Sequence, residues 1–264
     1  MGSLGQGQNI NQTFGGLKVR VLSAREKFRK GDGEARAHSE RSKFSELSSS
    51  FFVDVHNMKY DLSDKKAAIF DFDGVILDSE NYKMDAHVAL FSDHPKVNEI
   101  KEYIYSSAGI NRYHKYRHIH ENILQTDYTP EIEKELSDRY DAATFEGLKE
   151  LPLIEGVEDY LKILNIPRYI ASSTPQHALD KIVDVRNLRS YFTGIYGNPT
   201  LKNNVVEMAM EDLNLKPEQI VFFGDTMTDF RAAEATGAHF IAVASDPSKF
   251  PKGTRSVESF KDLI

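Results

Sequence analysis

Twice in this chain a short apolar run ends directly in acids, and that repeat constrains the fold more than any other feature. Ala67 to Phe72 is one such run, closing on Asp71-Phe72-Asp73-Gly74-Val75. Ile220 to Phe223 is the other, leading into Gly224-Asp225 with Asp229 beyond. A continuous apolar run without polar alternation reads as a strand buried on both faces, the mark of a parallel sheet. Tyr169 to Ala171 and His239 to Val243 repeat the pattern, and Gly194 to Tyr196 does so more weakly. Amphipathic helical stretches separate these runs at Gln176 to Val185, Val205 to Leu213 and Thr228 to Thr236, and Gly237 is placed to close the last one in a left-handed conformation. Strands alternating with helices predict an α/β fold with a doubly wound parallel sheet, whose ligands bind beyond the carboxyl ends of the strands.

The alternation is interrupted from Asn81 to Glu150, a segment too long for a bare loop. Helical patterning recurs within it at Tyr82 to Phe91, Val97 to Ser106, Arg112 to Leu124 and Glu131 to Phe145, with no strand-like run. The division expected is a sheet domain over 58–80 and 151–264, with an all-helical domain inserted over 81–150. Residues 1–57 are rich in Gly, Ser, Gln and charge without a sustained period, so a flexible extension is expected there. Lys18, Arg20 and Arg25 without a nearby acid faintly resemble a transit peptide, but no amphipathic pattern supports targeting. Met58 stands just ahead of the first convincing strand, where the catalytic protein is expected to begin.

Composition narrows the function. A net charge of −7 argues against a broad basic face for nucleic acid. The absence of cysteine removes disulfides, thiolate metal sites and cysteine nucleophiles, and fits a reducing cytoplasm. No apolar run reaches the roughly 18–20 residues of a membrane span. There is no Walker-type Gly-Lys-Ser/Thr, no complete dinucleotide loop and no Gly-x-Ser-x-Gly.

The chemistry sits at the strand ends. In Asp71-Phe72-Asp73 one carboxylate can attack phosphorus while the other trades protons with the leaving and attacking oxygens, and Gly74 lets the chain turn. Bringing Asp225 and Asp229 beside that pair creates a cluster that a hard cation such as Mg²⁺ would neutralise, although Asp225 or Thr228 also fits a helix N-cap. Ser172 and Ser173, after the run ending at Ala171, suit a phosphate oxygen at a helix start. Lys202, read as a loop residue, could balance the charge of nucleophile and phosphoryl group.

Asp71-x-Asp73, Ser172, Lys202 and Gly224-Asp225-x-x-x-Asp229, in that order, resemble the haloacid dehalogenase superfamily of phosphohydrolases over Lys66 to Ile264. The resemblance implies an aspartyl-phosphate on Asp71, a general acid/base at Asp73, and phosphoryl oxygens held by Ser172 and Lys202. It also implies Mg²⁺ on Asp71, the main-chain carbonyl of Asp73 and Asp225, supported by Asp229, with the helical insert as a cap over the substrate. An acid at position 73 points to phosphate-ester chemistry, so a phosphatase of a small phosphorylated metabolite is expected: a sugar, sugar-acid or phosphoglycolate type. A phosphomutase and a non-catalytic binding protein on the same fold are the alternatives.

Ala108-Gly109-Ile110-Asn111-Arg112-Tyr113-His114-Lys115-Tyr116 is similar to a Gly-x-Ser-Arg-Tyr-x-Lys-Phe stretch of a subgroup linked to surface carbohydrates, with Asn111 and Tyr116 departing from it. Arg112 and Lys115 could meet an anionic substrate group there, or simply line a solvated helix face. His114, His118 and His120 lack a third ligand at fitting spacing and are not expected to bind metal.

Overall fold

The computed structural model describes residues 12–14, 17–19, 61–244 and 246–264. Strands β1 (Gln12–Phe14) and β2 (Leu17–Val19) pair antiparallel within a unit spanning Met1–Val53. The sequence showed no period there, and its expectation for 1–57 otherwise lies outside the described residues. All that follows belongs to the second unit, Asp54–Ile264.

Six parallel strands form its sheet: β3 (Ala67–Phe70), β4 (Arg168–Pro175), β5 (Gly194–Asn198), β6 (Ile220–Gly224), β7 (His239–Val243) and β8 (Ser256–Val257). Their spatial order is β5-β4-β3-β6-β7-β8, so the chain steps outward from β3, returns to its other side at β6 and steps outward again. Phe70 of β3 stands opposite Phe223 of β6 at this reversal. Ligands of doubly wound sheets bind beyond the strand ends at such a switch point.

Side chains alternate across a strand, and here both faces are covered. Ala68 and Phe70 pack in one cluster with Val157 of α5 (Val157–Ile163) and Leu179 of α6 (Gln176–Val185). Ala67 and Ile69 pack in the other with Val205 of α7 (Lys202–Leu213) and Ala233 of α8 (Met227–Thr236). Full burial of a side chain such as Phe70 is worth roughly 1.5–3 kcal/mol. This double burial is why β3 reads as a continuous apolar run.

Between β3 and β4 the chain is helical: α1 (Glu80–Ala89), α2 (Val97–Ser106), α3 (Arg112–His118) and α4 (Pro130–Glu150). These helices bury a core of their own around Ile100, Ile104, Tyr116 and Ile119. Asn111 caps α3 by accepting the His114 N–H, and Thr129 caps α4 by accepting from Ile132, with Pro130 at its first turn. The expected helix from Arg112 to Leu124 instead changes at Ile119 into a π-helical turn, Ile119–Leu124.

Two further readings are corrected. Strand β4 does not stop at Ala171 but continues through a register shift to Pro175, so Ser172 and Ser173 lie within the strand rather than beyond it. Lys202 is not a loop residue but the first residue of α7. Gly237 closes α8 at φ +80° as its position predicts.

Candidate active site

The adjacency of β3 and β6 brings the two acid-tipped strand ends together. The Asp71 N–H donates to the Phe223 carbonyl at 2.9 Å, continuing the ladder one residue past β3. Asp71 is buried, with Oδ1 accepting the Phe72 N–H at 2.7 Å and Oδ2 accepting from Lys202 Nζ at 2.7 Å. The same ammonium donates to Asp229 Oδ1 at 2.6 Å. Burial works against the charge of Lys202, but Asp229 and Asp71 outweigh it and raise its pKa. A lysine opening a helix meets an unfavourable dipole; these two carboxylates compensate for it.

Asp229 is fully buried and answers a structural demand as well. At the third position of α8 it accepts from the N–H and the hydroxyl of Thr226, at 3.1 and 2.6 Å, closing a capping box. The cap of this helix is therefore Thr226, and neither Asp225 nor Thr228 fills that place. Asp225 stands free of it: both carboxylate oxygens are buried and have no hydrogen-bond partner among the described residues. Burial foremost, then the charges of Asp71 and Asp229, pushes its pKa well above the usual carboxylate range.

Among the described residues, Asp71, Asp225 and Asp229 form the one group of acids compact enough to hold a metal ion, with ligand atoms within 4.8 Å of one another. When ionised, three carboxylates face one ammonium, which leaves an excess of two negative charges for a divalent cation to balance. The orphaned oxygens of Asp225 fit that role, since buried acceptors without partners are rare in folded proteins. Gly74 permits the close approach: it sits at φ +78°, and a Cβ there would lie 2.1 Å from Asp225 Oδ2.

Asp73 is engaged on several sides. Oδ1 accepts from Ser79 Oγ at 2.6 Å, and Oδ2 accepts from Lys83 Nζ at 2.7 Å and Thr174 Oγ1 at 2.9 Å. Burial would raise its pKa, but Lys83, Ser79 and Thr174 outweigh burial and hold it below the ordinary value. Lys83 belongs to α1 of the insert and also donates to Thr174 Oγ1 at 2.8 Å, so one insert side chain spans two strand ends.

Asp71, Asp73, Asp225, Ser173, Arg112 and Lys115 line one cavity of about 60 Å³. Ser172 and Lys202 instead line an adjoining cleft that shares Gly109, Asn111 and Ser173 with it. Ser172 Oγ accepts the Thr174 N–H at 3.1 Å, locking the turn in β4. Arg112 pairs with Asp141 at 2.6 Å and lies over the Tyr140 ring at 4.4 Å. Both Arg112 and Lys115 are buried, so neither belongs to a solvated helix face. His118 stacks on Tyr103 and His120 bonds Thr126, apart from any metal cluster among the described residues.

Residues 68–243 match the family model described as haloacid dehalogenase-like hydrolase. The chain belongs to that family. A phosphorylated carbohydrates phosphatase of Thermotoga maritima is 27% identical over 180 residues, 65% of this chain and 82% of the relative. Among solved structures, a β-phosphoglucomutase from Clostridium difficile matches with a TM-score of 0.63 at 19% identity, over 76% of this chain and 93% of its own. A predicted phosphoglycolate phosphatase from Haemophilus somnus matches with a TM-score of 0.59 at 16% identity, over 76% and 96%. These two structural likenesses show the fold. Family membership together with the phosphatase relative bears out the expected phosphoric monoester hydrolase.

Sequence reasoning missed the partners of Asp73. Ser79 stands just before α1, yet its hydroxyl caps nothing and turns back to the acid. Lys83, in the first turns of α1, carried one usable signal: a helix that starts so soon after the strand keeps its first turns beside the strand end.

Proposed function

We propose that this hydrolase is a magnesium-dependent phosphatase of a small phosphorylated metabolite, acting through an aspartyl-phosphate on Asp71. The observation that carries the reading is Asp71 itself: a buried carboxylate at the switch point, oriented by Lys202 and the Phe72 N–H, with the unpartnered Asp225 beside it. The carbohydrate phosphatase of Thermotoga maritima supports a carbohydrate-type substrate.

In the first step an Asp71 oxygen attacks phosphorus, the bond from phosphorus to the leaving oxygen breaks, and Asp73 gives that oxygen its proton. In the second, Asp73 takes a proton from water as the water oxygen attacks phosphorus. The bond to Asp71 then breaks, freeing phosphate and restoring the carboxylate. At rest Asp73 is held as the anion by Lys83, ready for the second step. A phosphoryl group arriving beside it brings negative charge, which favours the protonated form needed for the first. Lys202, Ser172 and Ser173 are assigned to the phosphoryl oxygens, and Arg112 and Lys115 to the rest of the substrate. Mg²⁺, held by Asp71, Asp225 and the Asp73 carbonyl with Asp229 behind them, would neutralise the carboxylates and polarise the phosphoryl group.

The helical segment over 81–150 is read as a cap that excludes water from the reaction. The enzyme is placed in the cytoplasm, where a chain without cysteine loses nothing to reduction. The test is inorganic phosphate release across a panel of phosphorylated sugars, sugar acids and glycolate, with Mg²⁺ and with chelator. Magnesium-dependent release from a related set is the expected result. Rearranged phosphate esters with no free phosphate would replace the phosphatase with a mutase, and no turnover at all would leave a binding protein.

A further inference from the structure

The insert brings three cations to the cavity wall, and their charges are met differently. Lys83 is paired with Asp73 at 2.7 Å, and Arg112 with Asp141 at 2.6 Å. Among the described residues Lys115 has no carboxylate partner: its Nζ meets only the thioether of Met84, at 3.6 Å, although the residue is just 3% exposed. A thioether is a weak acceptor, and an ammonium buried without an anion is costly. No neighbour removes that cost. His87, on the same wall, is kept neutral by burial and by Lys115 and Arg112. Lys83 repels Lys115, while Glu80 and Asp73 attract it only from beyond ion-pair distance.

A second group nearby is also unsatisfied. The Tyr140 hydroxyl is buried and has no hydrogen-bond partner among the described residues, while its ring is fixed against His87 at 4.1 Å and beneath Arg112 at 4.4 Å. Tyr140 and Lys115 line the same cavity as Asp71. An idle cation and an idle donor in the lining of the cavity that Asp71 also lines describe a seat for the part of the substrate that departs.

We propose that the leaving group carries a carboxylate, seated on the Lys115 ammonium with the Tyr140 hydroxyl donating to an oxygen of the same group. The substrate class is then a phosphorylated hydroxy acid or sugar acid, a refinement that rests on the phosphatase reading above. One unmatched positive charge selects a carboxylate over a second phosphoryl group. A dianion would leave a negative charge uncompensated in a cavity of about 60 Å³.

The test separates binding from turnover by using matched pairs: phosphoglycerate against glycerol phosphate, and phosphogluconate against sorbitol phosphate. Dissociation constants are measured by calorimetry with Mg²⁺ on full-length protein carrying Asp71→Asn, alone and combined with Lys115→Met. The acid of each pair should bind at least about tenfold more tightly, as a charge-assisted hydrogen bond predicts, and Lys115→Met should bring the two together. Equal affinities within the wild-type-cavity pairs, a ratio unmoved by Lys115→Met, or no binding of either acid would each overturn the proposal. So would a sugar bisphosphate that binds more tightly than the acids. Phosphate release by the wild-type enzyme is read separately. An acid preference in binding without release keeps the seat and defeats the phosphatase, whereas release at equal rates from both members does the reverse.

Discussion

Replacing Lys115 by Met should make the protein more stable, by an amount the structure sets. Its ammonium is brought from 10.5 down to about 8, chiefly by burial and next by Lys83, with Glu80 and Asp73 pulling the other way. At about 1.4 kcal/mol for each pH unit, holding the charge costs the folded state about 3 kcal/mol. Methionine keeps the length of the side chain, packs beside Met84 and carries no charge. The sign of the pH dependence follows from which state binds the proton more weakly. The folded wild type gives it up near pH 8 and the unfolded chain only near 10.5, so wild-type stability rises across that window. Urea unfolding of both proteins therefore should show Lys115→Met ahead by about 3 kcal/mol at neutral pH, with the gap closing as pH approaches the upper end. Other titrating groups are common to both proteins and cancel in the difference. A destabilised variant at neutral pH, or a gap that does not change with pH, would refute the unpaired charge. The cost itself is of the kind binding sites carry, since a ligand anion relieves it.

Three further outcomes are expected. Asp71→Asn should lower phosphate release by roughly 10⁴-fold or more while the circular dichroism stays native, because the nucleophile has no substitute; substantial residual turnover in a folded sample would count against covalent catalysis. Asp225→Asn should stabilise the metal-free protein by roughly 1 kcal/mol of relieved burial, read as a higher melting temperature in chelator, and shrink the further rise that Mg²⁺ produces. A lower metal-free melting temperature with the Mg²⁺ shift intact would contradict its assignment. Gly74→Ala forces a Cβ toward Asp225 Oδ2 at φ +78° and should cost about 1–3 kcal/mol together with Mg²⁺ affinity; calorimetry and urea unfolding would read both, and a variant unchanged in either would show that the loop yields.

What could be read in advance followed from period and order. Strand β3 declared itself because both of its faces are buried, and β6 and β7 did so for the same reason. Helix α5, with seven residues, and strand β8, with two, were not anticipated, since each spans too few repeats of its period to stand out. Asp71 and Asp225 were legible because each stands one residue past a strand, and Asp73 and Asp229 because each follows its partner at a fixed short spacing. The length of β4 was not, since Ser172, Ser173 and Thr174 carry no apolar signal and are held in the strand by pairing with β5 across a register shift. The partnership of Lys83 with Asp73 depends on how the insert folds back over the sheet, and that is a tertiary fact no local pattern encodes. Arg112 was legible as a candidate, but its commitment to Asp141, across a helix pair, was not.

Lys83 ties α1 to the ends of β3 and β4 through a single ammonium. That tie makes helix position and proton affinity two aspects of one coordinate. Where α1 lies against the sheet, Asp73 is held as an anion, and any displacement of the helix that withdraws the ammonium leaves a buried acid that takes up a proton more readily.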